Sequence, residues 1–385
     1  MIDVARAFHQ LDLAEMHRRK GTKWSKYPAE ILPAWVADMD YPLAPCIESA
    51  LHDAISRGDV GYPSPGEDVA EAFAARAQRL WNWRVEPTRV HLMPDVVQAI
   101  ELVIERFSAP GDGVLITTPV YPPFINVTGG MHRRIVESPL HADGRLDADA
   151  LRRVFESNHP RIVLLCSPHN PTGHVFRREE LEIITELALE HHALIISDEI
   201  HAELTYPGHV HIPTASLSAQ VAAATITVTS ASKPFNIAGL RCAQIVSGTA
   251  ALHARVTEHI EMAHDPVGTL GNVATLAAWT PEGDEWLAAC LVQLESNMRR
   301  VAAWAAVHNI GFHLPEATYL AWLDFRPLEL GPHPQQWLLH HAHVALSPGS
   351  DFGRPGHGHA RLNVATSPAI LDQILSRVSD ALAEH

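Results

Sequence analysis

Apolar positions along this chain follow two periods that alternate through its middle. Short apolar runs occur at residues 114–118 (VLITT), 162–166 (IVLLC), 193–197 (ALIIS), 226–229 (ITVT) and 243–247 (AQIVS). They have the length and composition of strands buried on both faces. Between them lie helical patterns such as 97–107 and 178–191. Continuous apolar strands separated by helices predict a mostly parallel sheet covered on both sides, an α/β domain. The ends read differently. A helical pattern at 282–308 is followed by strand-like 319–325, a helix at 334–341, short strands at 344–346 and 361–364, and a last helix at 368–383. This grouping fits a smaller α+β domain. The N-terminal forty residues contain a Pro-punctuated extended stretch (KYPAEILPAWVADMDYPLAP) and are expected to join it. The expected division is therefore a large domain over 46–285 and a small one formed by 1–45 with 286–385.

Composition narrows the function classes. A formal charge of −15, from 29 Lys+Arg against 44 Asp+Glu, opposes nonspecific binding to nucleic acid or to an anionic membrane. No apolar run has the length of a membrane span, and the start lacks the pattern of a signal peptide, so a cytoplasmic location is expected. The cysteines Cys46, Cys166, Cys242 and Cys290 lie far apart and read as reduced thiols. The 26 histidines are scattered without metal-ligand spacing, so no metal site is expected.

The candidate chemistry gathers at the carboxyl ends of the predicted strands, where open α/β sheets bind ligands. After 226–229 comes Ser230-Ala231-Ser232-Lys233, with Arg241 eight residues beyond the lysine. A lone lysine there would ordinarily snorkel to the surface. Flanked by hydroxyls and a guanidinium, it has instead the setting of a Schiff-base lysine beside a phosphate anchor. That pairing is what pyridoxal 5′-phosphate requires. Asp198, in Ser197-Asp198-Glu199-Ile200-His201, is placed to pair with the pyridine nitrogen, and His201 to face its phenolic oxygen. Asn170, in the turn-forming Asn170-Pro171-Thr172-Gly173, is a second donor to that oxygen. Tyr121 is either a core aromatic or a ring stacked on the cofactor. Asp95, Val96 and Val97 open a helix whose free amides suit a phosphate. Arg361 is a candidate clamp for a substrate carboxylate.

In this order the motifs resemble those of the fold type I pyridoxal-phosphate enzymes, the aspartate aminotransferase superfamily, over nearly the whole chain. Trp35-Val36-Ala37-Asp38-Met39-Asp40, Ser-Asp-Glu-Ile-His at 197–201 and Ser-Lys-Pro-Phe-Asn-Ile-Ala-Gly-Leu at 232–240 are similar to the MalY/PatB group of cystathionine β-lyases. In the broader family a tyrosine commonly stands at the place of His201. The resemblance implies a seven-stranded-type sheet and Lys233 as the aldimine lysine and proton carrier. It further implies Asp198 on the ring nitrogen, Asn170 and His201 at the phenolic oxygen, Tyr121 over the ring, and Ser230, Ser232, Arg241, Val96 and Val97 at the phosphate. Arg361, with Ala37 and Asn170, would hold the substrate. Tyr62 would reach the phosphate of a neighbouring subunit, making the protein a homodimer with shared sites. Relatives usually have glycine where Asp95 stands; a carboxylate there would repel the phosphate, so Asp95 is expected to turn away.

The function implied is a carbon–sulfur β-lyase acting on cystathionine or another S-substituted L-cysteine. An aminotransferase, or an enzyme of specialised metabolism coupling elimination or decarboxylation to deamination, shares the same lysine. A purely regulatory protein is opposed by the acidic charge and the lack of a helix-turn-helix segment.

Overall fold

The structure, a computed structural model of the chain, describes residues 4–260 and 267–385. Its centre is a sheet of strands β1 (Val90–Met93), β2 (Gly113–Thr118), β3 (Arg134–Pro139), β4 (Ile162–Cys166), β5 (Leu194–Asp198), β6 (Thr225–Thr229) and β7 (Ala243–Ser247). Their spatial order is β1-β7-β6-β5-β4-β2-β3. All run parallel except β7, which is antiparallel to both β1 and β6. The mostly parallel, seven-stranded expectation therefore holds with one reversed strand.

The period-two alternation within each strand divides the core between the faces. Ile162, Leu164 and Cys166 pack on one side with Ile196, Ile226 and Ile245, under helix α1 (Val96–Phe107). Val163 and Leu165 pack on the other with Ile195, under α2 (Ala148–Asn158) and α3 (Arg178–Glu190). Each fully buried aliphatic side chain contributes about 1.5–3 kcal/mol. The edge strand β3, RIVESP, alternates exposed and buried residues because only one of its faces is covered.

After the sheet, helix α4 (Pro281–Val307) leads to an antiparallel sheet of β8 (Gly311–Phe312), β9 (Leu320–Asp324), β10 (Ser347–Pro348) and β11 (His359–Asn363). Helices α5 (Pro334–His341) and α6 (Pro368–Ala383) complete this region. The N-terminal segment packs there: Leu32–Pro33 pairs with Val344–Ala345, and Phe8, Trp24 and Leu32 share a core with Trp286, Leu338 and Ile374. On this packing we propose the division at about residues 45 and 285, although the same core continues through Ala231 and Phe235 beneath the lysine loop. The N-terminal stretch also contains short helices, Val4–His9, Leu13–Met16 and Thr22–Ser25, that the sequence reading did not resolve.

Several histidines serve turn geometry. His132, His159, His192, His259 and His343 have φ between 43° and 60°, the left-handed region that histidine tolerates better than most side chains. His174 has a different task. It lies between Glu180 (2.8 Å) and Glu316 (3.3 Å), tying the loop after Asn170 to the segment before β9. These carboxylates raise the His174 pKa against the opposing effect of burial. Glu316, held also by Arg177, is lowered to about 2 although burial opposes it. A raised histidine stabilises fully below its unfolded pKa and loses that contribution as pH climbs through the folded value. A lowered glutamate stabilises above its unfolded pKa and loses that as pH falls through the folded value. Glu316→Gln is therefore expected to cost on the order of 2 kcal/mol near pH 6. Urea unfolding across pH should show the difference from the native protein shrinking as pH falls from 4.5 towards 2.

Candidate active site

The parallel register sets the site. Cys166 pairs with Asp198 across β4 and β5, and Asp198 with Val228 across β5 and β6, so these strands end at one level. Above them is a cavity of about 360 Å³, lined by Lys233, Asp198, Asn170, His201, Tyr121 and Arg241, among others. The Lys233 side chain is half-buried at the cavity wall and its amine donates to the Ala37 carbonyl at 2.9 Å. Burial, assisted by the charge of Arg361, lowers its pKa, while Asp38 and Asp198 oppose the shift.

Asp198, the last residue of β5, is 3 % exposed. Burial, with Glu199 adding, pushes its pKa up to about 7, despite the Ile200 backbone amide that donates to it at 3.1 Å. Glu199 anchors the following loop instead of facing the cavity: it accepts from Ser197 Oγ and the Thr214 amide and meets His211 Nε2 at 3.0 Å. His201 is pushed down to about 3 by burial and by the charges of Lys233 and Arg361, so its ring is neutral. Its Nδ1 is buried without a partner.

Arg361 comes from β11, where its strand position points it into the interior at 5 % exposure. It donates through Nη1 to Asn170 Oδ1 (3.0 Å) and through Nη2 to the Trp35 carbonyl and Ser347 Oγ (both 3.2 Å). Its Nε is buried and unpartnered. Burial lowers its pKa to about 10, which leaves it charged at neutral pH. Arg361 and Tyr121 also line a second cavity of about 430 Å³, walled by Tyr27, Trp35, Leu339 and Phe352.

Most residues expected at the site meet in the first cavity: Ala37, Val96, Val97, Ser232 and Arg241 line it with those above. Three do not, and one is oriented otherwise than expected. Arg361 lines the second cavity and touches the first only through its hydrogen bond to Asn170. Ser230 donates to the Cys242 carbonyl at 2.5 Å and accepts from the Ser232 amide, which holds the loop and keeps Ser230 off the cavity wall. Tyr62 is fully exposed and outside the cavity. Asp95 does not turn away; its carboxylate pairs with Arg241. Sequence reading missed Gln98 and Glu101, which line the same cavity. Gln98 was accessible as the residue three after a helix-capping Asp. Tyr319, whose hydroxyl donates to the Ala37 carbonyl at 3.0 Å, carried no sequence signal.

The residues fit pyridoxal phosphate. A buried carboxylate suits the cationic N–H that a pyridinium supplies, His201 holds an unpartnered ring nitrogen, and an amine and a guanidinium line the same cavity. The fold and this cavity define a pyridoxal-phosphate enzyme, and the chain belongs to the aminotransferase class I and II family, which it matches over residues 36–378. Its architecture is that of the fold type I enzymes. The chain is 33 % identical to cystathionine β-lyase PatB of Bacillus subtilis (strain 168), covering 97 % of this chain and 100 % of that protein. It is likewise 33 % identical to the cystathionine β-lyase of Corynebacterium glutamicum, over 96 % of this chain and 99 % of that one. Cystalysin from Treponema denticola, whose crystal structure contains pyridoxal 5′-phosphate, superposes with a TM-score of 0.90 at 30 % identity, covering 96 % and 97 % of the two chains.

Proposed function

We propose that this protein is a pyridoxal-phosphate-dependent carbon–sulfur β-lyase that converts an S-substituted L-cysteine and water into a thiol, pyruvate and ammonia. The observation that carries the reading is the convergence of Lys233, Asp198, His201 and Asn170 in one cavity, with Arg361 hydrogen-bonded to Asn170 at its edge. When bound, the cofactor supplies an electron sink for the charge that develops at the substrate Cα. Asp198 would hold the ring nitrogen protonated, His201 and Asn170 its phenolic oxygen, and Arg241 with the first turn of α1 its phosphate. Arg361 binds the substrate α-carboxylate and orients the Cα–H bond. Lys233 Nζ takes the Cα proton; its lowered pKa leaves more of the amine free to act as a base near neutral pH. Loss of the sulfur substituent from Cβ follows.

The aromatic cavity beyond Tyr121 and Arg361 gives the sulfur substituent its place. Trp35→Ala should raise KM for bulky S-substituted cysteines about tenfold while leaving S-methylcysteine nearly unchanged, because only a large substituent reaches the indole. Steady-state kinetics on both substrates checks this.

A panel of S-substituted cysteines, assayed together for thiol, pyruvate and keto acid, tests the function. Equal thiol and pyruvate without an added keto acid is expected. Obligatory keto acid consumption would overturn the lyase reading in favour of transamination. We further propose a homodimer, supported by fully exposed Tyr62 beside exposed Val60, and a cytoplasmic setting. The four unpaired cysteines suit a reducing compartment, and among the described residues no helix is long and apolar enough to cross a membrane.

A further inference from the structure

Asp95 precedes α1 and accepts from the Gln98 amide at 2.9 Å through Oδ1 and from Gln98 Nε2 at 2.8 Å through Oδ2. Oδ2 also takes Arg241 Nη2. An amide of the first helical turn, a carboxamide and a guanidinium are donors that a phosphate dianion draws on. Glu101 adds a second carboxylate to the lining. This end of the cavity therefore sets Arg241 against Asp95, and the arginine charge is already engaged.

We propose that Asp95 is an internal anion in the phosphate cradle, which keeps Arg241 paired in the cofactor-free protein and weakens cofactor binding through the phosphate. This rests on the pyridoxal-phosphate reading above. The carboxylate has a structural use as well, since it caps α1, so the position satisfies the helix start with an acceptor whose charge opposes the incoming dianion. Asp95 is 32 % and Arg241 53 % exposed at the side chain, so the opposition is screened by salt. Formation of the holoenzyme then responds to cofactor supply and ionic strength in a way that a glycine at this position would not impose.

The test is titration of the apo-protein with pyridoxal phosphate, with pyridoxal lacking the phosphate, and with inorganic phosphate as competitor. Asp95→Asn keeps an oxygen for the Gln98 amide and removes the charge. It should lower the Kd for pyridoxal phosphate about tenfold at low salt, with the gain shrinking as salt is added. Pyridoxal affinity should be unchanged, and inorganic phosphate should compete more strongly in the variant. Equal or weaker pyridoxal phosphate binding by the variant, or a gain shared by pyridoxal, overturns the proposal. Asp95→Ser, which also retains a capping oxygen, gives the same readout where the Asn variant fails to fold. If neither native nor variant protein binds pyridoxal phosphate, the cofactor reading itself falls and this inference with it. Equal binding by both proteins removes only the inference.

Discussion

Lys233→Ala is expected to abolish thiol release, lowering kcat by at least about 10⁴-fold, because it removes both the covalent attachment point of the cofactor and the base for the Cα proton. The fold should survive. Desolvation lowers the pKa of the amine, and its hydrogen bond to Ala37 is the contact that disappears. Circular dichroism and urea unfolding of the apo-protein should match the native protein closely. Borohydride reduction followed by peptide mass spectrometry should find a covalent cofactor adduct on the peptide containing Lys233 in the native protein and none in the variant. Turnover by the variant within tenfold of native, or an adduct on another lysine, would remove Lys233 from its assigned role.

Asp198→Ala should reduce kcat on the order of 10³-fold and weaken cofactor retention, since the neutral ring without its carboxylate partner is a poor electron acceptor. The stability effect has the opposite sign in the cofactor-free protein. A carboxyl group whose pKa burial has pushed up to about 7 is destabilised in its ionised form. Because that pKa lies above the unfolded value, the native apo-protein loses stability as pH rises from about 4 through 7, and the alanine variant should lose less. Thermal melts of apo- and holo-protein across this range separate the two effects. Cofactor binding should raise the melting temperature of the native protein more than that of the variant. An unchanged rate would show that another group serves the ring nitrogen.

Much of the fold was legible in the strand pattern. Runs such as 162–166, apolar at every position, announce burial on both faces, and the helical periods between them announce parallel connections. The reversed direction of β7 was not legible, because an apolar strand reads alike in either direction. The same limit governs the site. Lys233, Asp198 and Asn170 lie next to strand ends and carry local motifs, so their convergence followed from the sheet alone. Arg361 lies far along the chain on a strand of the smaller sheet; the sequence offers it as a candidate carboxylate clamp, and only the fold gives it its 5 % exposure and its hydrogen bond to Asn170. Ser230 and Ser232 are alike in sequence, and only the loop geometry turns Ser230 to the Cys242 carbonyl and leaves Ser232 on the cavity wall.

By itself the sequence determined which groups the chain possesses and the order in which strands present them, since periodicity and motif spacing are local properties of the chain. Tertiary structure decided charge states and pairings. Burial sets Asp198 near 7 and His201 near 3, and only folding brings Asp95 against Arg241, 146 residues apart. Desolvation and long-range pairing depend on what surrounds a group in three dimensions, which no stretch of neighbouring residues encodes.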